Sequence, residues 1–297
     1  MKSRVIVVAK KTSYSLYVQD THDERVASLI QTGNPVVSRW QSAHESHNRT
    51  LSKVLDVIQQ RASVLMIDFP HTSYVGSLQD ISLVVSVGGD GTLLSTSHNL
   101  HSSIPILGVN SDTNSSVGFF CAANESNFEE YFAKAMDKTC ESILLHRMKV
   151  SKDKQIVSTR VLNDVLFCHT NPATTSRYIL DSNGAVEAQN SSGFWVGPAA
   201  GSTAARRSAG FDSLPLLSKS LQLCVRELYH RPSSEPGRRE IIAESGEKIR
   251  VLSKMDNAAM YIDGDYKIVP VGLGEELVFE TSDEPLLLLG SKNVFRQ

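Results

Sequence analysis

Apolar runs of strand length alternate with stretches of helical period through the first third of the chain. Val5–Ala9 is a short apolar run, and the polar, basic segment Lys10–Tyr14 after it reads as a loop at the carboxyl end of a sheet. A helix is expected over Thr21–Gln31, and a second from Asn48, where Leu51, Val54, Leu55 and Ile58 fall at i, i+3, i+4 and i+7 on one face. Val64–Phe69, Ile81–Val87 and Ile104–Val109 are further strands. Ile81–Val87 is largely β-branched, which suits a strand buried on both faces of a parallel sheet. A short Ser/Thr-rich helix from Thr92 to about Leu100 separates the last two. This alternation predicts a doubly wound, Rossmann-like α/β domain over residues 1–112, with ligands bound off the carboxyl ends of its strands.

After Asn110 the texture changes. SDTNSSVGFF is polar, and Asn124–Met136 carries Phe128, Phe132 and Met136 at helical spacing. Downstream, short β-rich segments are punctuated by Ser182-Asn183-Gly184, Asp263-Gly264 and Gly272-Leu273-Gly274. They predict an antiparallel, β-rich second domain over residues 113–284, with 231–239 as an exposed loop. The apolar run Leu286–Leu289 must be buried on some sheet.

A chain of 297 residues suits two domains. A formal charge of −2 leaves no electrostatic footprint for nucleic acid, and the pairs Arg206-Arg207 and Arg238-Arg239 read as solvated surface. Cys121, Cys140, Cys168 and Cys224 lack C-x-x-C spacing and no H-E-x-x-H occurs, so neither a zinc site nor a disulfide framework is suggested. The five apolar residues near the start are too few for a signal-peptide core or a membrane span. The expectation is a cytoplasmic protein with no nucleic-acid or membrane partner.

The densest chemistry lies in VVSVGGDGTLL, residues 84–94. Gly88, Gly89 and Gly91 allow positive φ and close backbone approach, and a helix starting at Thr92 would aim its free N–H groups at an anion. Asp90 is an odd neighbour for phosphate, so it is expected to orient a hydroxyl or a magnesium ion, or to act as a general base on an attacking alcohol. The plain alternative is a β-α turn in which Asp90 caps the helix. Two further stretches stand out. VLNDVLF, residues 161–167, reads as an apolar strand interrupted by Asn163 and Asp164, either ligand groups on a bulge or the wet face of an edge strand. PAAGSTAARRSAG, residues 198–210, is nearly all small side chains, suited to close backbone approach, with Ser202 or Thr203 starting a ligand-facing helix, or to plain helix packing.

GGDGT between strand and helix resembles the phosphate-binding loop shared by NAD kinases, diacylglycerol and sphingosine kinases and, more distantly, phosphofructokinases. With Asn-Asp-Val and Gly-Ser-Thr-Ala following in order, the chain resembles the NAD kinase family from about Ile81 to Gly210, and ILGVN, Val117-Gly118-Phe119 and Tyr261–Gly264 also match. The resemblance implies ATP-dependent phosphorylation of NAD or NADH at the adenosine-ribose 2′-hydroxyl, with Mg²⁺ accompanying ATP and a homodimer or larger assembly. It gives Asp90 the contact with that hydroxyl, and Gly88, Gly89, Gly91 and Thr92 the phosphates. Asn110 and Phe119 would line the same site, Asn163 and Asp164 would hold NAD, and Thr203, Ala204 and Ser208 would surround its adenine or ribose. It also sends the tail, residues 285–297, back to the first domain. Two positions depart from the common pattern: Ser191-Ser192-Gly193 stands where many members carry Arg-Gly-Asp-Gly, and Ala205 where they carry tyrosine. With LLSTSH at 93–98, these look like the plant NADH kinase and mitochondrial NAD kinase branch. The dinucleotide pocket, Ser192 included, thus lacks a carboxylate and an aromatic, and NADH is expected to serve at least as well as NAD. The rivals are a lipid or small-alcohol kinase of this fold class and a dinucleotide sensor that turns nothing over.

Overall fold

Strands that must hide both faces lie in the middle of a parallel sheet, and the N-terminal apolar runs do so. The computed structural model describes residues 3–21, 23–68, 80–229 and 237–290. In chain order the first elements are β1 (Arg4–Ala9), a π-helical turn (Ser15–Gln19), α1 (Glu24–Gln31), α2 (Pro35–Arg61), β2 (Ser63–Asp68), β3 (Ile81–Gly88), α3 (Asp90–Ser97), β4 (Ile106–Asn110), β5 (Ala123–Asn124), α4 (Phe128–Met136) and β6 (Ser142–Leu145). β1 pairs in parallel with β2 and β3, and β3 with β4. β4 is buried throughout, and β1 and β3 each show one exposed position. Phe69, expected to end the second strand, lies outside the described residues.

The helix expected from Asn48 begins thirteen residues earlier. Asn34 accepts a hydrogen bond from the Val36 N–H and Pro35 occupies the first turn, a capping arrangement with φ already set for a helix. Its buried face, His47, Thr50, Val54 and Ile58, keeps the predicted period.

The chain divides into two compact units, Met1–Ile143 with Leu287–Gln297, and Leu144–Leu286. The boundary expected after residue 112 therefore moves to residue 143. The reason is α4: Phe128 and Phe132 are fully buried and stacked at 5.6 Å, and the helix packs on α2, β3 and β5 of the first unit.

The second unit comprises β7 (Met148–Lys152), β8 (Gln155–Val161), β9 (Val165–His169), β10 (Ser176–Ser182), β11 (Ala185–Ser191), β12 (Phe194–Pro198), a 3-10 turn (Ala199–Thr203), α5 (Ala205–Ser208), β13 (Leu221–Val225), β14 (Glu240–Ala243), β15 (Lys248–Ser253), β16 (Ala258–Ile262), β17 (Lys267–Val271) and β18 (Glu276–Thr281). They form two six-stranded antiparallel sheets, ordered β11-β10-β15-β18-β7-β8 and β14-β13-β12-β9-β16-β17. Alternate residues face inward, as in β15, and both sheets contribute to one core that includes Phe167, Tyr178, Phe194 and Phe279. The predicted turns at Asn183-Gly184 and Asp263-Gly264 hold both residues at positive φ. Of the expected loop 231–239, residues 231–236 lie outside the described residues. Arg238 is not simply solvated: it pairs with Glu187 at 3.1 Å. The last described strand, β19 (Leu286–Leu289), lies between β4 and β6 in the first unit's sheet and runs parallel to β4. Among the described residues no helix is long and apolar enough to cross a membrane.

Candidate active site

In the first unit the carboxyl ends of β1, β3 and β4 converge. The Lys10 N–H donates to the Val87 carbonyl, and the Ser111 N–H to the Gly88 carbonyl. α3 begins at Asp90, two residues before the expected start, with Gly89 as its cap. Thr92 therefore does not offer a free N–H: it donates to the Gly89 carbonyl at 3.1 Å. Its side chain is buried against Gly88, where an added Cβ would lie 2.2 Å from Thr92 Oγ1. None of Gly88, Gly89 and Gly91 sits at positive φ, so conformational freedom is not why glycine stands there. Gly88 and Gly89 make room for Thr92 and Ser116. Gly91 has nothing within 4 Å of a Cβ, and leaves an open face at the start of the helix.

Asp90 is not a helix cap. Its Oδ2 accepts the Phe119 N–H at 2.9 Å and its Oδ1 the Phe120 N–H at 2.7 Å. Asn110 shapes the loop that brings those amides: its Nδ2 donates to the Ser116 carbonyl and its Oδ1 accepts the Asp112 N–H. Gly118, at φ +64°, packs on the Asn110 side chain, where a Cβ would come within 2.4 Å. Asp90, Asn110 and Phe119 thus form one assembly, in which Asn110 holds the loop and Phe119 contributes its backbone. Reading the sequence alone missed Lys10, Asp112 and His47 beside it. Burial lowers the Lys10 pKa and the nearby Asp112 carboxylate opposes this. His47 accepts or donates at 2.9 Å to Ser111 Oγ, and burial, then Lys10 and His44, pull its pKa down to about 4. The signal available for Lys10 was its place directly after a buried strand.

In the second unit VLNDVLF is not one strand. β8 ends at Val161, β9 starts at Val165 in the other sheet, and Leu162–Asp164 link them. The break is imposed by Asp263, whose carboxylate accepts three successive N–H groups: Leu162 at 3.0 Å, Asn163 at 2.8 Å and Asp164 at 2.9 Å. Asp263 returns its own N–H to the Asp164 carbonyl at 2.8 Å. The stretch of small residues then closes on this link. A Cβ on Gly201 would lie 1.9 Å from the Asn163 carbonyl oxygen, and one on Gly197 2.3 Å from it. Arg206, read from sequence as solvated, is 0% exposed, whereas Arg207 is exposed. The Arg206 guanidinium donates to the carbonyls of Gly197, Pro198, Gln222 and Asn163. Ser202 does not face a ligand either, since its hydroxyl donates to Ala199 and accepts the Leu214 N–H.

Asp164 is 3% exposed and its Oδ2 has no hydrogen-bond partner among the described residues. Burial, then the Asp263 carboxylate, push its pKa up to about 7, against the pull of Arg206. Half-buried Thr203 and Ala204 follow Gly201 beside this link, and exposed Ser208 closes α5. Ser192 stands apart. The pairing of Phe194 with Phe167 puts it at the far end of β9, roughly 16 Å from Asp164 at the usual rise per residue. There it borders a cavity of about 300 Å³ that also includes Thr174, Arg177 and Tyr229. Its N–H donates to the Arg226 carbonyl, and the Arg226 guanidinium donates back to the Ser192 carbonyl at 3.4 Å.

A family model described as the ATP-NAD kinase N-terminal domain matches residues 2–140. A rice (Oryza sativa subsp. japonica) protein named probable NADH kinase is 32% identical over 292 residues, covering 90% of this chain and 89% of its own length. An Arabidopsis thaliana protein named NADH kinase is 30% identical over 292 residues, covering 88% of each. The crystal structure of yeast NADH kinase complexed with NADH superposes with a TM-score of 0.71 at 13% identity, over 99% of this chain and 85% of that one, a likeness of fold.

Proposed function

The chain belongs to the NAD kinase family, and on that premise we propose that it transfers the γ-phosphoryl group of ATP to the adenosine-ribose 2′-hydroxyl of NAD or NADH. The ribose oxygen bonds to the γ-phosphorus, the bond from that phosphorus to the β–γ bridging oxygen breaks, and ADP leaves. Asp90 takes the hydroxyl proton. The observation that carries this assignment is the pinning of the Asp90 carboxylate, at the first residue of α3, by the Phe119 and Phe120 amides. A carboxylate fixed in this way meets the attacking alcohol without reorganising, and positioning dominates an in-line transfer. The open face left by Gly91 suits a triphosphate, and Lys10 supplies positive charge at the end of β1.

Mg²⁺ would arrive with ATP and neutralise charge on the phosphate oxygens. Among the described residues no three His, Cys, Asp or Glu groups cluster into a metal cage; an ion that arrives with a nucleotide is commonly held through its phosphates and water. Asn163 and Asp164 are read as the dinucleotide-binding groups, because their backbone is fully tied down while the Asp164 Oδ2 is left unpartnered. NADH serves at least as well as NAD. Supporting this are Ser192 and Ala205, where a carboxylate and an aromatic are common, and the names of the two plant relatives. An assembly of two or more copies in the cytoplasm completes the proposal.

The test is purified protein with ATP, Mg²⁺ and either NAD or NADH, with NADP and NADPH measured by a coupled assay beside calorimetric titration of each dinucleotide. The expected result is 2′-phosphorylated product from both, at least as fast from NADH. Tight binding with no product from either would leave a sensor and overturn the kinase reading.

A further inference from the structure

A link of three residues that joins two sheets has little reason to be rigid, yet Leu162–Asp164 is held on both sides. On one side the Asp263 carboxylate gathers the N–H groups of Leu162, Asn163 and Asp164 within 3.0 Å, a concave array of amides closed on a single anion. On the other, the fully buried Arg206 guanidinium bonds the Asn163 carbonyl at 3.3 Å and anchors itself on the carbonyls of Gly197, Pro198 and Gln222. Gly197 and Gly201 permit the approach, since a Cβ at either would collide with the Asn163 carbonyl. The bonds that reach the link, from Asp263 and from Arg206 to the Asn163 carbonyl, engage only its backbone. Among the described residues the Asn163 amide makes no side-chain hydrogen bond, and the Asp164 Oδ2 has no partner, although Asp164 is 97% buried. Buried polar groups are normally satisfied, and an exception points to something the fold itself does not supply.

We propose that Asp263 and Arg206 are positioning residues for the dinucleotide site: they fix the Leu162–Asp164 backbone from both sides so that the Asn163 and Asp164 side chains stay available to the substrate. This rests on the reading of Asn163 and Asp164 as dinucleotide groups. Asp263 provides the finer control, because one carboxylate sets the orientation of both residues. Asparagine cannot reproduce this, since its amide offers a single acceptor and turns a donor toward the converging N–H groups. Lysine at 206 keeps the charge but loses the fork that spans four carbonyls.

The experiment compares Asp263→Asn, Arg206→Lys, Asn163→Ala and the double variant Asp263→Asn/Asn163→Ala. It measures KM for dinucleotide and for ATP, kcat, dinucleotide Kd by calorimetry, and melting temperature. Asp263→Asn is expected to raise the dinucleotide KM and Kd about tenfold or more while the KM for ATP stays within about twofold. Arg206→Lys shifts the same constants in the same direction by a smaller factor. The double variant is little worse than Asp263→Asn alone, because residues acting through one another are not additive. If Asp263→Asn does not fold, the same split between the two KM values in Arg206→Lys carries the test. An unchanged dinucleotide Kd in a folded Asp263→Asn or Arg206→Lys, beside a weakened one in Asn163→Ala, overturns the positioning role and leaves the kinase reading standing. Multiplying effects in the double variant overturn it too. An unchanged Kd in Asn163→Ala removes the underlying reading of the link, and the proposal falls with it.

Discussion

Asp90 and Asp164 are both carboxylates at the mouth of a turn, and the protein treats them in opposite ways. In the first unit a side chain is held by backbone: Asp90 accepts two amides from the loop after β4 and stays fixed. In the second, backbone is held by a side chain: Asp263 takes three amides, and the Asp164 Oδ2, carried on that backbone, has no partner among the described residues. The difference matches the tasks proposed for them. A group that must meet a hydroxyl at one reacting atom gains from being locked, whereas a group that grips a substrate must keep its hydrogen-bonding capacity open until the substrate arrives.

The largest expected break of this contrast is Asp90→Asn. It is expected to lower kcat by about 10² to 10⁴, the usual worth of a positioned base. It also turns an NH₂ group toward the Phe119 or Phe120 amide, so the melting temperature should fall by an amount equivalent to about 1–3 kcal/mol. Near-normal turnover at saturating substrates would remove Asp90 from the chemistry. Asp164→Asn should leave kcat far less affected, and its effect is best read in pH dependence. The Asp164 pKa rises from 3.8 to about 7 on folding, so the folded chain holds a proton that the unfolded chain has lost. Its contribution is present below pH 4 and declines as pH rises toward 7, by of the order of 4 kcal/mol. His47 has the reverse sign: its pKa falls from 6.5 to about 4, so its contribution is present above pH 6.5 and is lost as pH falls toward 4, by of the order of 3 kcal/mol. The two slopes oppose one another in the wild type. Thermal melts between pH 4 and 8 should show stability rising with pH in Asp164→Asn and falling with pH in His47→Gln, and parallel profiles in the two variants would contradict both assignments.

The smallest effect belongs to Ser192. Ser192→Asp restores a carboxylate, but the Arg226 guanidinium on the adjacent carbonyl neutralises part of its charge. The ratio of kcat/KM for NAD over NADH should therefore rise only about threefold, and about tenfold once Arg226→Gln is added, where 1.4 kcal/mol makes a decade. Ratios unchanged in both variants would show that this end of β9 does not meet the nicotinamide.

How far the sequence could be read follows the distance between interacting residues. The strand, glycine turn and helix around Asp90 lie within the seventeen positions Ile81–Ser97, and their order was legible. The start of α2 was also written locally, in Asn34-Pro35, but the polar run after it hides the apolar period on which a helix is usually recognised. The split of VLNDVLF was not legible, because its cause, Asp263, lies 99 to 101 residues away. Arg206 was misread for the same reason. A charge is buried only where carbonyls gather to receive it, and the carbonyl of Asn163 that helps to do so lies 43 positions upstream. The pairing of Asp90 with Phe119 and Phe120 spans only 29 and 30 positions, yet no periodicity reports it.

The return of β19 to the first unit has a consequence for how the chain is made. β4 and β6 have both emerged by residue 145, but the strand that lies between them is not synthesised until Leu286–Leu289. During translation the earlier domain must wait with a gap in its sheet until nearly all of the later one, continuous from 144 to 286, has been synthesised. The domain begun first is finished last. For most of that interval β5 covers this edge of β4 only at Val109 and Asn110, and β6 lacks the strand that joins it to β4, the state in which a nascent chain most needs protection from its neighbours.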